Sequence, residues 1–556
     1  MDNETIAYNF SMLAKLMDIH GENSFKTKSY SGASFTIDKL PVELSSLSEK
    51  EIHSINGIGD AIAQKIMTQL KTGELPLLNQ YIEKTPLGVV EMLNIKGLGA
   101  KKISTIWKEL EIENIGELLY ACNENRLLLY KGFGEKTQQN IKEAIEFYQR
   151  SKGSYLYAEI CGYAWKLEKE LQTYFPDEQT VLTGNLRQHH EIVKKIEFLT
   201  TVLVENLDAF LINKQFKKKE SVDGSISYCD AENVTIQFYL TTKNDWYTQL
   251  FITSSGADFL DAWQQQFPLE KTYSSEEEIF ANAGTDFIPA YLRESADTIE
   301  ETKKHRLFKV VQEKDITAII HSHSTWSDGN NTIAEMANAA KQKGLQYLVL
   351  SDHSKAAFYA KGLSEERLLA QHKEIDELNK KLSPFIIFKS IESDILNDGS
   401  LDYSDEVLST FDVVIVSVHS NLKMSEEKAM KRLLTAIENP FTNILGHMTG
   451  RLLLSRAGYP INHTKIIDAC AANNVVIELN ANPHRLDIDW RYLRYALDKG
   501  VLTSINPDAH SINGFNDVQY GVLMAQKAGV TKEQNLSSFS LLQFQNFMAD
   551  QKRKQQ

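Results

Sequence analysis

Long apolar runs are missing from this chain. None approaches the ~20 consecutive apolar residues that a membrane helix needs, so no membrane association is expected. The opening residues, Met1-Asp2-Asn3-Glu4, lack the basic-then-apolar pattern of a secretory signal. Cysteine is scarce: Cys122, Cys161, Cys229 and Cys470 lie far apart, with no C-x-x-C pair. That spacing suggests neither a disulfide framework nor a thiolate zinc site, and fits a reducing cytoplasm. A surplus of positive charge is missing as well, because 60 Lys+Arg face 74 Asp+Glu for a net charge of -14. That argues against a generally basic nucleic-acid coat, but does not exclude local grip through backbone amides and a few lysines. What remains is an ordinary soluble composition, 42% hydrophobic and 24% charged. At 556 residues the chain exceeds what one core serves, so three or more domains are expected, in a monomer.

The most informative stretch is His321-Ser322-His323-Ser324-Thr325-Trp326-Ser327-Asp328-Gly329, which follows the apolar run Ile316–Ile320. Residues i and i+2 of a strand point the same way, so His321 and His323 present two imidazoles on one side, with the carboxylate of Asp328 close behind. That is half of a metal site. The same grammar recurs downstream, with apolar runs each ending in a metal-binding residue type: Tyr347–Leu350 before Asp352-His353, Phe385–Phe388 before Glu392 and Asp394, and Val413–Val418 before His419. Asn443–Gly446 precedes His447, Val475–Ile477 precedes Glu478 and Asn480, and Leu502–Ile505 precedes Asp508 and His510. Helical patterns at Ile333–Lys343, Glu365–Leu382 and Ile466–Asn473 fill gaps between them. Alternating strand and helix argues a parallel sheet, and seven units with every ligand at a strand's C-terminal end argue a closed barrel with its site on that face. A lone strand-end histidine is more often structural, but six of them with an acid pair make a poor coincidence. His372 and His463 fall inside helical segments and are left out of the site.

These residues resemble the PHP (polymerase and histidinol phosphatase) domain over about 315–550. The resemblance implies a distorted (β/α)7 barrel and three divalent ions held by His321, His323, Asp328, His353, Glu392, His419, His447, Asp508 and His510. Among them His321, His323, Glu392 and Asp508 are the expected catalytic set, with Glu392 bridging two ions. The mixed imidazole and carboxylate donors suit manganese, zinc or iron better than magnesium. Arg451 and Arg485 are candidate clamps for substrate phosphate, since a guanidinium grips two oxygens at once; a structural role is the alternative for each.

The N-terminal third begins with a helical pattern (Leu13, Leu16, Met17) ended by Gly21, after which 1–45 reads as loop-rich. Then a G-h-G turn between short amphipathic segments recurs three times, at Gly57-Ile58-Gly59, Gly97-Leu98-Gly99 and Gly132-Phe133-Gly134; Lys101 and Lys136 closely follow the last two. Such turns leave N–H groups at a helix start free to face phosphate. They are helix-hairpin-helix modules, which grip nucleic-acid backbone without reading sequence. One copy alone reads as a plain αα turn; three point to DNA. Lys65, on the helix after the first turn, is a candidate Schiff-base lysine for abasic sugar, against the plainer reading of a surface lysine.

From 151 to 300 the chain mixes helix and strand, with Tyr155–Tyr174 helical and strands expected around Val181, within Ile192–Val204, at Val234–Leu240 and at Gln249–Thr253. The run Lys217-Lys218-Lys219 reads as a solvated loop with a possible phosphate contact. The order of parts is similar to the bacterial family X DNA polymerases. In that family a glycine-led turn precedes a strand bearing D-x-D, and a third aspartate completes the site for two magnesium ions. Here the turn is Gly184-Asn185-Leu186-Arg187-Gln188, the D-x-D positions are Lys195 and Glu197, and the third position falls at about Gln237. An ammonium repels magnesium, so no magnesium pair is expected there. The downstream stretches Ser275–Phe280 and Phe287–Glu294 match the family's thumb.

The resemblance thus implies a multidomain chain. A lyase-like helical part with the first hairpin (1–80) leads to a fingers-like part with two more (81–150). A degenerate α+β palm (151–242), thumb (243–300), linker (301–314) and PHP barrel (315–550) follow. The implied activity is hydrolysis of DNA phosphodiesters from 3′ ends, a 3′-5′ exonuclease with polymerase activity lost. The rivals are a gap-filling polymerase that keeps both activities and a non-catalytic DNA-end scaffold. A small-molecule phosphatase would not need three hairpins.

Overall fold

The computed structural model describes residues 1–40, 42–150, 153–222, 224–270, 272–303 and 309–553, so part of the expected linker (304–308) lies outside the described residues. The chain forms two compact units, Met1–Tyr148 and Gln149–Gln556.

The first unit is helical throughout. Asn3–His20 is N-capped by Asp2 and stopped by Gly21 in the left-handed region at φ 81°, and it buries Ile6, Phe10, Leu13 and Met17 along one face. Against the loop expectation, Ser24–Asp38 is a second helix. Its serines, threonines and glycine are weak helix formers, but Thr27, Tyr30, Ala33 and Ile37 recur at helical spacing and are buried, so packing overrides propensity. The hairpins close this unit's core with Ile58, Leu98 and Phe133, the residues between each pair of glycines.

The second unit opens with β1 (Tyr155–Leu156), antiparallel to β3 (Ile192–Val193), and the helix Tyr157–Tyr174. A five-stranded sheet follows, ordered β2 (Thr180–Thr183), β4 (Ile196–Thr200), β7 (Thr235–Leu240), β6 (Ser225–Cys229), β5 (Lys217–Val222). Only β4 and β7 run parallel, with Glu197 opposite Gln237. Phe198, Phe238, Ile196 and Ile236 pack under the helices Tyr157–Tyr174 and Val204–Asn213, so Lys195, Glu197, Gln237 and Tyr239 share the other face. The lysine run is an exposed edge strand, not a loop: β5 pairs with β6. Gln249–Thr253 is helical rather than extended, within Trp246–Thr253: Trp246 and Leu250, one turn apart, pack together on Leu199 of β4, while Phe251 joins a separate helix cluster. That cluster centres on Phe251, Phe259, Trp263 and Phe280 and encloses the guanidinium of Arg293, which is fully buried. Glu276 joins Arg293 (2.7 Å) to Arg187 of the turn after β2.

From Ala318 onward seven parallel strands follow in unbroken sequence order: β8 (Ala318–Ile319), β9 (Tyr347–Leu350), β10 (Ile386–Asp394), β11 (Val413–Ser417), β12 (Ile444–Leu445), β13 (Val476–Asn480) and β14 (Thr503–Asn506). The first and last meet at a bridge between Ser322 and Ala509, so the sheet is a nearly closed seven-stranded barrel. Side chains alternate as the pleat demands. Ala318, Tyr347, Val349, Val413, Ile415 and Val476 share one core with Phe544 and Met548 of the C-terminal helix Leu541–Lys552. Ile319, Leu348, Leu350, Val414, Val416 and Ile477 pack instead with the surrounding helices. Phe544 lies against Tyr347 and Phe388, near the N-terminal ends of β9 and β10. Apolar side chains therefore fill that end and polar ones gather at the other.

Candidate metal centre

All nine sequence-selected ligand residues converge at the C-terminal ends of the barrel strands, with side chains at most 9% exposed. Glu392, late in β10, is the hub: its carboxylate lies 2.9 Å from His353 Nδ1, 3.1 Å from His419 Nε2, 3.0 Å from His447 Nε2 and 3.3 Å from His321 Nε2. Asp508 Oδ1 lies 3.1 Å from His323 Nε2, and Asp328 Oδ2 lies 3.5 Å from both His353 Nε2 and His510 Nε2. Donor atoms within 4.8 Å of one another form three groups: His323, Asp328, His353 and His510; His321, His323 and Asp508; His353, Glu392 and His419. Among the described residues, such groups of three or more His, Cys, Asp or Glu occur only here.

The electrostatics fit cations. Burial alone would strip charge from every one of these groups. At Glu392, however, His419, His321 and His353 outweigh burial and hold the carboxyl well below its ordinary range. His353 and His510 do the same for Asp328, and His321 for Asp508. His321 is held well above the imidazole range, with Glu478, Asp508 and Glu392 overcoming its burial. His323 goes the other way, lowered by burial and by His510 and His353 beside it. The buried atoms His321 Nε2, His323 Nδ1 and Asp328 Oδ2 make no hydrogen bond although ligand-type atoms surround them. Buried polar atoms without hydrogen bonds are rare, and inward-facing imidazole and carboxylate atoms in this arrangement suit divalent ions.

Sequence reasoning passed over the residues that aim these ligands. Glu478, placed among the strand-end acids but not in the ligand set, is fully buried and accepts from His321 Nδ1 at 2.7 Å. It also accepts from the His447 amide (3.0 Å), Asn480 (3.0 Å) and Asn506 (2.8 Å). With Nδ1 spent there, Nε2 of His321 faces the cluster, the outer-shell arrangement typical of metal sites. Asp394 does the same for His419 at 3.1 Å. Asp352 accepts from Ser324 N (2.8 Å), Ser324 Oγ (2.7 Å), Ser327 and Gln371 (2.7 Å), which fixes the loop carrying His323 and Asp328. Only the second-neighbour spacing Glu478-x-Asn480 hinted at the first of these.

The two arginines part company. Arg485 Nε lies 3.9 Å from Asp508 Oδ2. The guanidinium of Arg451 is taken up by Asp489 (2.6 Å), the Arg485 carbonyl (3.0 Å) and the Leu486 carbonyl, so the expected phosphate clamp is corrected to a brace for the loop that carries Arg485.

In the helical unit each hairpin has one design. Gly57, Gly97 and Gly132 sit at φ 89°, 89° and 97°, where only glycine is unstrained. Gly59 and Gly99 are N-caps without a side-chain hydrogen bond, in contrast to Asp2, Asn23 and Asn114, which cap their own helices. A Cβ at Gly59, Gly99 or Gly134 would meet nothing within 4 Å, so the absence of a side chain serves approach from outside. Lys101 and Lys136 are exposed beside these starts. Lys65 is half-buried, bonded to the Ala61 carbonyl at 3.2 Å and 5.8 Å from the Tyr30 ring centroid.

In the five-stranded sheet, Lys195 Nζ lies 3.1 Å from Glu197 Oε1 and donates to Gln237. Glu197 also accepts from Tyr239 (2.8 Å) and the Asn185 amide (3.2 Å). Gly184, at φ 58°, leaves the room that the Glu197 carboxylate fills. An ammonium, a carboxylate and an amide thus meet on this face of the sheet.

Comparison with known proteins agrees with this layout. A model of the helix-hairpin-helix domain matches residues 1–75, a SAM-like helix-hairpin-helix tandem matches 89–146 and a PHP domain model matches 320–482. That last match stops short of Asp508 and His510, which the fold brings into the same cluster. The chain is 32% identical to a DNA polymerase/3′-5′ exonuclease PolX of Bacillus subtilis over 99% of each chain. A probable phosphatase of a Thermoanaerobacter species is 26% identical over 42% of this chain and 95% of its own.

Proposed function

The chain belongs to the family of DNA polymerase/3′-5′ exonucleases called PolX, and from that premise we propose that it trims DNA 3′ ends at the barrel's metal centre while its palm holds DNA without polymerising. One contrast carries this reading: nine buried imidazole and carboxylate side chains meet at the barrel top, whereas Lys195 occupies the palm. His321, His323, Glu392 and Asp508, with His353, His419, His447, Asp328 and His510, would hold divalent ions of the manganese, zinc or iron kind. Such ions, when bound, neutralise phosphodiester oxygens and supply a water-derived nucleophile at neutral pH. The protein's own groups do the rest. Glu478 and Asp394 fix which nitrogen His321 and His419 present. Arg485 adds positive charge at the rim of Asp508, where a departing 3′ nucleotide's phosphate needs it. The hairpin helix starts, with Lys101 and Lys136, hold backbone phosphates irrespective of sequence. Such work belongs to DNA repair in the cytoplasm.

The test uses the purified protein and a His323→Ala variant on a 5′-labelled, 3′-recessed primer–template with manganese, with and without nucleotides. Shortening that the variant loses, with no extension, is the expected result. Template-directed extension would return the palm to service and overturn the reading of Lys195. If neither occurs, the scaffold reading takes its place.

A further inference from the structure

Resting on the nuclease reading, the inference concerns the side chain that receives the terminal base. Directly after the ligand His353, the chain makes a short turn, Ser354-Lys355-Ala356-Ala357-Phe358-Tyr359-Ala360. Ala357 and Ala360 are fully buried, yet Phe358 between them is 80% exposed, among the largest exposures of any aromatic side chain here. Its neighbour Tyr359 is half-buried and spans the gap: its ring lies 5.9 Å from that of Phe358 and 6.4 Å from that of His353. An aromatic face is therefore held in water two ring contacts from a metal ligand.

Nothing about this turn is loose. The Ala356 amide donates to Asp402 (2.6 Å) and the Lys355 amide to Tyr403 Oη (3.2 Å). The Ala357 amide returns to the Ser354 carbonyl (3.0 Å), and Arg367 clamps the Lys361 carbonyl at 2.6 Å. Gly362 packs so closely on the Ser354 carbonyl that no side chain fits. A solitary exposed apolar residue is ordinary. One fixed by a braced turn beside a buried catalytic cluster has no structural use in its exposed position, because the core it could join is already filled by Ala357 and Ala360.

We propose that Phe358 is a stacking platform for the nucleobase at or next to the 3′ terminus that the metal centre attacks. The ligand side chains are at most 9% exposed, so a terminus has to leave its duplex to bring a phosphodiester to them. A flat hydrophobic face then compensates for stacking lost in the duplex, and it does so for any base, since every base has a π-face.

The experiment pairs protein and DNA changes. Single-stranded 5′-labelled oligonucleotides with one abasic residue at the last, second-last or third-last position are digested with manganese by the wild type, Phe358→Ala, Phe358→Leu and Phe358→Trp. For the wild type, an abasic residue at one of these positions should raise KM by about 5- to 150-fold, the range of one base stacked on one ring. Phe358→Ala should raise KM on the intact oligonucleotide by a similar factor and lose its sensitivity to that abasic position. Phe358→Trp should restore the sensitivity, whereas Phe358→Leu, similar in bulk without a ring, should not. Equal sensitivity of Phe358→Ala and wild type overturns the platform while leaving the nuclease intact. No shortening by the wild type overturns the nuclease reading and the platform with it.

Discussion

Glu478 offers the sharpest test of the metal centre, because its hydrogen bonds leave no slack. Its two oxygens take four donors: His321 Nδ1 and Asn506 Nδ2 on one, and the His447 amide and Asn480 Nδ2 on the other. An ionised carboxylate has acceptor capacity for all four, whereas the amide of Glu478→Gln offers one accepting oxygen and two donating hydrogens. Whichever way the amide turns, two of the four donors face a donor. Buried hydrogen bonds to charged groups contribute about 1.5–3 kcal/mol each, so the metal-free barrel should lose about 3–6 kcal/mol. If the amide nitrogen faces His321, that ring can accept only by moving its proton to Nε2, the atom that faces Glu392 and Asp508. Metal binding should then weaken by about 10- to 100-fold, the usual effect of losing an outer-shell carboxylate. Competition against a chelating dye, run with manganese and with zinc, gives the affinity, and denaturant unfolding of the metal-free proteins gives the stability. Affinity within about threefold of wild type would refute the claim that Glu478 sets the His321 tautomer, even if stability fell.

Metal affinity should rise with pH. Burial presses His419 down, but Glu392 and Asp394 raise it to about 9, above the value near 6.5 of an unfolded chain. Its proton therefore stabilises the metal-free fold fully below about pH 6.5 and ceases to do so as pH climbs through about 9. An ion has to displace that proton, so affinity should increase at least about tenfold per pH unit from 7 to 9. A flat profile in the same dye assay contradicts it. In the helix cluster around Phe251, Glu276→Gln should cost about 3–5 kcal/mol, because it leaves the fully buried Arg293 without its carboxylate. Unfolding followed by tryptophan fluorescence, in a variant that keeps only Trp263 (beside Phe251 and Phe280) of the six tryptophans, measures it, and a loss under about 1 kcal/mol would show that the aromatic cluster shelters Arg293 alone.

The barrel and its nine candidate ligand residues were legible because each strand announces itself as a short apolar run with a ligand-type residue at its end, a pattern of period and punctuation alone. Glu478 ends a strand in the same way, and nothing in the sequence says that it bonds the outer nitrogen of His321. That distinction is one of direction, set by where β13 stands relative to β8. The helix Ser24–Asp38 was hidden because its stability lies in the burial of Tyr30, Ala33 and Ile37, not in its helix formers. Leu250 and Phe251 suit a strand as well as a helix over five residues, and what decides is the packing of Leu250 with Trp246, one helical turn earlier. Arg451 matched a phosphate clamp in chemistry, and the loop acceptors that claim it come from residues 34 to 38 positions away.

The barrel's seam is also the place where its chemistry gathers. β8 is only two residues long, and the ring closes through one bridge between Ser322 and Ala509, whose neighbours His321 and Asp508 both adopt left-handed backbone at φ 65° and 52°. Side chains at such positions carry a cost of about 1–3 kcal/mol each. The thinly paired lip of the wall thus also carries strain, and His321 and His323 on one side face Asp508 and His510 on the other. An ion gripped from both lips would act as a rivet, so in the proposed site the catalyst and the fastening of the barrel are one object. Drawing the metal out would loosen the wall at the very place where the next ion has to enter.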